Sequence, residues 1–127
     1  MEKTQEFYYK NLNVYHLAKQ MVVDVYNYTK DFPQQELYAL TNQLQRAAIS
    51  VPSNIAEGMR RFSVKERVHF LEIAYGSLME VMCQLEIAEA LGYLPKEQLQ
   101  EQEMRMSNIS KMLFGLKKTI EEKNINV

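Results

Sequence analysis

Cysteine is all but missing from this chain. Cys83 is the single one among 127 residues, so no internal disulfide can form and a reducing compartment is expected. Long hydrophobic runs are missing too: nowhere do about eighteen apolar residues follow one another, which argues against a membrane-spanning helix. The opening MEKTQEFYYK has no apolar core of the kind a secretory signal needs, and the expected location is the cytoplasm, with no membrane partner. Neither sign of charge dominates. With 15 Lys and Arg against 16 Asp and Glu the net charge is -1, so any pull toward nucleic acid or anionic lipid must be local. Three prolines and four glycines give little punctuation, strict alternation of β-branched residues is absent, and no segment of roughly 20–50 residues repeats. Sheet and solenoid architectures are thereby disfavoured.

What is present is helical in rhythm. Apolar residues make up 46% and charged ones 24%, the balance of a single globular domain over residues 1–127. The first helix is expected to begin at Asn11 or Asn13, either able to cap free amides, and to end at Asp31-Phe32-Pro33. Its apolar positions are Val14, Leu17, Ala18, Met21, Val25 and Tyr28. The second runs from Pro33 or Gln34 to Arg61. Along it Leu37, Leu40, Leu44, Ala47, Val51, Ile55 and Met59 advance by threes and fours. Proline would ordinarily end a helix, but the stripe keeps its phase past Pro52, which predicts a kinked helix that resumes. The third opens with Ser63 and Glu66 at capping-box spacing and stops at Gly92. The fourth starts at Pro95, follows the seam Leu99, Gln102, Met106, Ile109, Leu113, Leu116 and Ile120, and ends near Glu122. Residues 1–10 are expected as a partly ordered arm and 123–127 as a frayed tail. Connections of about two to five residues make successive helices antiparallel neighbours, so the predicted fold is an all-α, up-down-up-down four-helix bundle.

The third helix carries more apolar surface than a bundle core requires. One stripe is Val64, Val68, Leu71, Tyr75, Leu78, Met82 and Leu85, and a second is Phe70, Ile73, Ala74, Val81, Ile87, Ala88 and Leu91. Together they exceed the arc of about 100° that an amphipathic helix buries. A homo-oligomer interface is therefore expected, with Tyr15, Val22, Tyr26, Phe70, Ile73, Val81 and Ile87 as its candidate residues.

Catalytic constellations do not assemble. A di-iron bundle needs Glu-x-x-His on two helices; Glu66 to His69 supplies it once, and His16 has Asn13 where the glutamate should stand. Cys83 lies among Val81, Met82, Leu85 and Glu86, none of which activates a thiol, and it reads as a buried spectator. The four glycines stand singly, so no phosphate loop exists, and two histidines build no triad. We expect no enzyme, no catalytic residue, no metal and no cofactor. Charge patterning says more. From Arg46 to Phe70 the basic residues Arg46, Arg60, Arg61, Lys65 and Arg67 face only Glu57 and Glu66, whereas Glu86 to Glu103 is acidic except for Lys96. The five basic residues are the candidate nucleic-acid contacts. Pro52, Ser53, Asn54, Glu57 and Gly58 form a structural block: Ser53 and Asn54 can bond carbonyls freed by the proline, Glu57 can pair with Arg60 or Arg61, and Gly58 permits close approach of a second backbone.

Leu40–Gly58, reading LTNQLQRAAISVPSNIAEG, followed by Arg60-Arg61 and by Phe70–Leu78, FLEIAYGSL, carries a family resemblance. So do Leu12–Tyr15, with Tyr15 where a tryptophan is usual, and Leu91-Gly92-Tyr93. The chain resembles the four-helix-bundle proteins encoded in intervening sequences of bacterial 23S rRNA genes, a family similar to the accessory variability protein of diversity-generating retroelements. The resemblance implies a ring, a homopentamer. For the retroelement branch it also implies a basic surface binding nucleic acid and a reverse-transcriptase partner, and it implies no catalytic residue. The net charge of -1 departs from that strongly basic branch. Two functions stay open at this point: a non-enzymatic oligomer that binds RNA or DNA, and an oligomeric scaffold that docks a protein and ignores nucleic acid.

Overall fold

The computed structural model describes residues 8–125. Among them the chain forms four long helices, α1 (Asn13–Thr29), α2 (Asn42–Met59), α3 (Val64–Ala90) and α4 (Lys96–Ile125), and no strand. Each helix packs on the next in the chain, and α4 returns to α1, which closes the bundle. Cross-helix contacts run in opposite senses. Ser50 of α2 meets Ser77 of α3, while Gly58, further along α2, meets Phe70, earlier in α3. Lys117 late in α4 likewise reaches Glu72 early in α3. A single cluster of buried side chains runs through the centre, drawing on all four helices and on Phe32 and Leu94 from the connections.

Of the Asn, Ser and Gly caps that the sequence suggests, all but one form. Ser63 stands in extended conformation and its Oγ accepts the Glu66 N–H at 3.1 Å, which starts α3. At the other end Gly92, with φ of 82°, lets the Gly92 and Tyr93 amides donate to the carbonyls of Glu89 and Ala88, a Schellman closure. The exception is α1, where neither Asn11 nor Asn13 caps. A 3-10 turn, Tyr8–Asn11, takes up the first asparagine, and half-buried Leu12 holds the cap position with no side-chain bond. Apolar anchoring of Leu12 on the core outweighs the capping preference. Tyr8 to Lys10 of the expected arm thus belong to an ordered turn, while its residues 1–7 lie outside the described chain. The last helix continues to Ile125, beyond the expected end at Glu122, and residues 126–127 also lie outside.

The second helix is less regular than its stripe suggests. It enters through a 3-10 turn, Gln34–Glu36, and a π turn, Leu37–Thr41, before α2 proper. The Glu36 carboxylate accepts the Leu40 N–H and also the Tyr93 hydroxyl, at 3.0 Å, so this entry is clipped to the α3–α4 connection. A π turn holds an extra residue, and Leu37 is rotated off the core stripe into solvent. From there α2 runs from Asn42 to Met59 with Pro52 inside it and buried. Asn54 does not reach the Ala48 carbonyl that proline leaves free. Its Nδ2 donates to the Ser50 carbonyl and Oγ at 2.8 and 2.9 Å, and Ser50 Oγ is 2.8 Å from Ser77 Oγ. Ser53 faces solvent. Of the polar pair following the proline, only Asn54 serves the α2–α3 seam, through Ser50. Gly58 behaves as expected: a Cβ there would stand 3.1 Å from Phe70 Cβ and 3.3 Å from the Arg67 carbonyl.

On α3 the core positions are Leu71, Ala74, Ser77, Leu78, Val81, Leu85 and Ala88. Val81 is fully buried inside the subunit and cannot line an oligomer interface, which corrects its assignment. Tyr75 points to solvent and not to the core. Cys83 is exposed, not buried, because it falls on the outward arc of the helix.

Candidate functional site

The α2–α3 turn brings four of the five basic candidates together. Arg60 is the C-cap of α2 and Arg61 follows it, and Lys65 and Arg67 lie in the first turns of α3. Arg46 is not with them: fourteen residues of helix separate it from Arg60, about 21 Å along the axis. The proximity of Arg46 in the linear window does not survive folding, because one long helix keeps its two ends apart.

The four differ in how free they are. Glu57 binds both neighbouring arginines, Arg61 through Nη2 and Arg60 at 3.5 Å. The Arg61 guanidinium also lies 4.7 Å from the centre of the Phe70 ring, and its Nε is buried without a partner. Arg67 Nε donates to the Arg61 carbonyl at 2.7 Å, tying the turn to α3. Arg61 and Arg67 thus hold the turn in shape. The Arg60 side chain is 68% exposed, and Lys65 is exposed with no ion pair or hydrogen bond among the described residues. Those two are the groups able to meet an outside anion.

Antiparallel topology then adds charge that no linear window contains. Residues 8–20, 49–76 and 111–125 share one half of the bundle and hold ten Lys and Arg against five acidic residues. The opposite half, residues 21–48 and 77–110, holds four basic against nine acidic residues. The described residues, fourteen of each sign, are therefore sorted into a basic end and an acidic end. Lys111, Lys117 and Lys118 of α4 share this half of the bundle, Lys111 and Lys117 beside Tyr75 on its flank and Lys117 paired with Glu72 at 3.7 Å. The up-down arrangement was the sequence signal that could have found them.

Sequence reasoning also passed over Phe62. It occupies the tip of the α2–α3 turn, between Arg61 and Ser63, and is 97% exposed. An aromatic residue in a turn, bounded by Arg60-Arg61 and Lys65, is a legible pattern once the turn is recognised. Of the interface candidates, Tyr26, Ile73 and Ile87 are exposed. Tyr15 and Val22 line a shallow groove with Ile49 and Pro52, and Phe70 is half-buried beneath Arg61. They fall on α1 and α3, which stand diagonally in the bundle. Beside Ile73 and Ile87 the outward arc of α3 exposes Gly76, Met79, Cys83 and Leu91, with the carboxylates of Glu72 and Glu80 on the same arc.

Among the described residues no three of His, Cys, Asp and Glu converge as metal ligands would, and no helix is long and apolar enough to cross a membrane. A buried polar cluster does cross from α1 to α4. Gln102, 1% exposed, donates through Nε2 to Asp24 Oδ2 at 2.8 Å and to the Tyr28 hydroxyl at 3.0 Å, and its Oε1 has no partner. Burial pushes the Tyr28 hydroxyl above the usual tyrosine range; the Gln102 bond opposes this and the Asp24 carboxylate adds to it.

Two comparisons with known proteins bear on these surfaces. A family model described as 23S rRNA-intervening sequence protein matches residues 10–115. Curated proteins give no match.

Proposed function

The chain belongs to the 23S rRNA-intervening sequence protein family, and from that premise we propose that it is a non-enzymatic, cytoplasmic, ring-forming protein that binds RNA or DNA phosphates at its basic end. The observation that carries this reading is the sorting of charge: ten basic against five acidic residues in one half of a bundle whose described residues hold fourteen of each sign. Field strength at a phosphate depends on charges within about a Debye length, roughly 8–10 Å, and not on the net charge of the molecule. In a closed ring each subunit repeats the same basic end, so the charges of Arg60 and Lys65 form a rim. Rings close through heterologous contacts, in which one face of a subunit meets a different face of the next. The α1 flank at Tyr15, Val22 and Tyr26 and the α3 strip at Ile73 and Ile87 supply two such faces, and a pentamer is the number the family resemblance favours.

Salt tests the reading. Fluorescence anisotropy with a labelled RNA should show affinity falling linearly on log scales as salt rises, with a slope near -0.7 to -0.9 per phosphate neutralised. Replacing both Arg60 and Lys65 by Gln should shrink that slope by about two. If neither structured RNA nor duplex DNA binds at low ionic strength, the phosphate reading is wrong and a protein-docking scaffold takes its place. Light scattering that returns the mass of one subunit at micromolar concentration would remove the ring.

A further inference from the structure

We infer that the basic end recognises unpaired bases, with Phe62 as the stacking residue, so that the ligand is single-stranded nucleic acid or an unpaired loop and not an uninterrupted duplex. This rests on the phosphate-binding reading above and adds what that reading lacks, a means of choosing among nucleic acids.

Phe62 is 97% exposed at the tip of a turn, where it contributes nothing to the core. The turn is nonetheless firmly built, by the Arg67 bond to the Arg61 carbonyl, the Glu57–Arg61 pair and the Ser63 cap. A rigid mount for a ring in open water is an arrangement suited to a flat partner. Phosphates are drawn to Arg60 and Lys65 on either side, and a base that is not paired offers its face to the ring between them. Stacking of this sort tolerates any base and needs no hydrogen-bond readout. Stacked duplex interiors offer no such face, and A-form grooves present base edges and 2′-hydroxyls instead.

A second pairing of rings and cations lies on the same half of the bundle. Between α3 and α4 an open groove of about 490 Å³ is lined by Tyr75 and Phe114, the latter 70% exposed, with Lys111 beside them and Lys117 paired to Glu72 at 3.7 Å. Tyr75 lies eleven residues along α3 from Val64, about 16 Å down the side of the bundle from the tip. A flat lipid surface touching the tip would not engage a groove on the flank, whereas a flexible single strand can follow both. That separation favours nucleic acid over an anionic membrane.

The molecule provides its own control. Tyr38 is 90% exposed at the opposite, acidic end, so it matches Phe62 in exposure and differs in charge surroundings. The experiment measures anisotropy with a labelled single-stranded RNA, the same sequence annealed to its complement, and phosphatidylcholine vesicles containing phosphatidylserine. It compares the full chain with F62A, Y38A and the R60Q/K65Q pair. Wild type should prefer the single strand. F62A should weaken single-strand binding at least about fivefold, leave the duplex and the salt slope unchanged, and keep the wild-type melting temperature. Y38A should change nothing, and R60Q/K65Q should weaken both RNAs. Equal binding of single strand and duplex by wild type, or an F62A protein indistinguishable from it, overturns stacking and leaves phosphate binding in place. Failure of both RNAs to bind at low salt removes the underlying reading itself. An F62A defect seen on vesicles alone overturns the inference in favour of a lipid surface.

Discussion

At the scale of single residues, two glycines of the same composition class have opposite roles. Gly58 and Gly76 both sit inside helices, where glycine is less favourable than alanine by about 0.5–1 kcal/mol. At Gly76 a Cβ would meet nothing within 4 Å, so G76A should stabilise the subunit by that amount. At Gly58 the added Cβ would press on the Phe70 Cβ and the Arg67 carbonyl, both held on the backbone of α3 and slow to give way. Overpacking of this kind costs about 1–3 kcal/mol, more than the gain in propensity, so G58A should destabilise. Urea unfolding of the two variants checks the pair, and equal shifts of the same sign would refute the distinction. The spacing of Gly58 on the inner stripe already indicated close approach; that Gly76 faces open space could not be read from spacing, because it depends on which arc of α3 the other helices cover.

Among elements, the α1–α4 contact carries a buried polar pairing. Gln102 occupies a seam position that elsewhere in α4 is filled by Leu, Met or Ile, and its two donated bonds reach Asp24 and Tyr28 of α1. A polar group buried at one register position excludes slipped pairings of the two helices, since any slip leaves it unpaired. Gln102→Glu would bring a carboxylate against Asp24, and the loss at neutral pH should be about 2–4 kcal/mol. A carboxyl whose folded pKa is raised stabilises only while protonated, so part of this loss should return as pH is lowered toward about 4–5. Thermal unfolding of Q102E between neutral pH and that range reads the recovery. The tyrosines of the native protein give the same sign at the alkaline end. Tyr28, by burial, and Tyr93, by its bond to Glu36, both hold their protons above the usual tyrosine range. The folded chain therefore binds more protons than the unfolded chain above about pH 10, and stability, full below that pH, should fall as pH rises through it. Y28F should flatten the decline.

For the whole molecule, the outward strip of α3 and the flank of α1 leave Tyr26, Ile73 and Ile87 in solvent in a single subunit. If these faces meet in a ring, assembly stabilises the native state by mass action. The melting temperature should then rise with protein concentration across the micromolar range, and I87E should abolish that dependence while leaving the subunit folded. Protection of Cys83 from maleimide at high concentration, lost on dilution, would report the same event, since the thiol is exposed in the subunit. A concentration-independent melting curve for wild type would refute assembly over that range.

Much of this molecule is written locally. Stripes at three- and four-residue spacing, Ser63 before Glu66 and Gly92 after Leu91 specify the four helices and most of their ends, because helix periodicity and capping involve residues only a turn apart. The same stripes foretold the buried sets of α2 and α4 with Leu37 as a clear exception, displaced by a π turn that depends on Glu36 and on Tyr93 far along the chain. What tertiary structure alone decided is of another kind: that Val81 is core and Cys83 surface, that Asn54 serves Ser50 and Ser77 across a seam, and that Arg46 stands apart from Arg60. It also decided that lysines of α4 and arginines of α2 share one end while acids collect at the other. Such relations join residues tens of positions apart, and they are set by how helices of fixed length lie side by side, which no local pattern encodes.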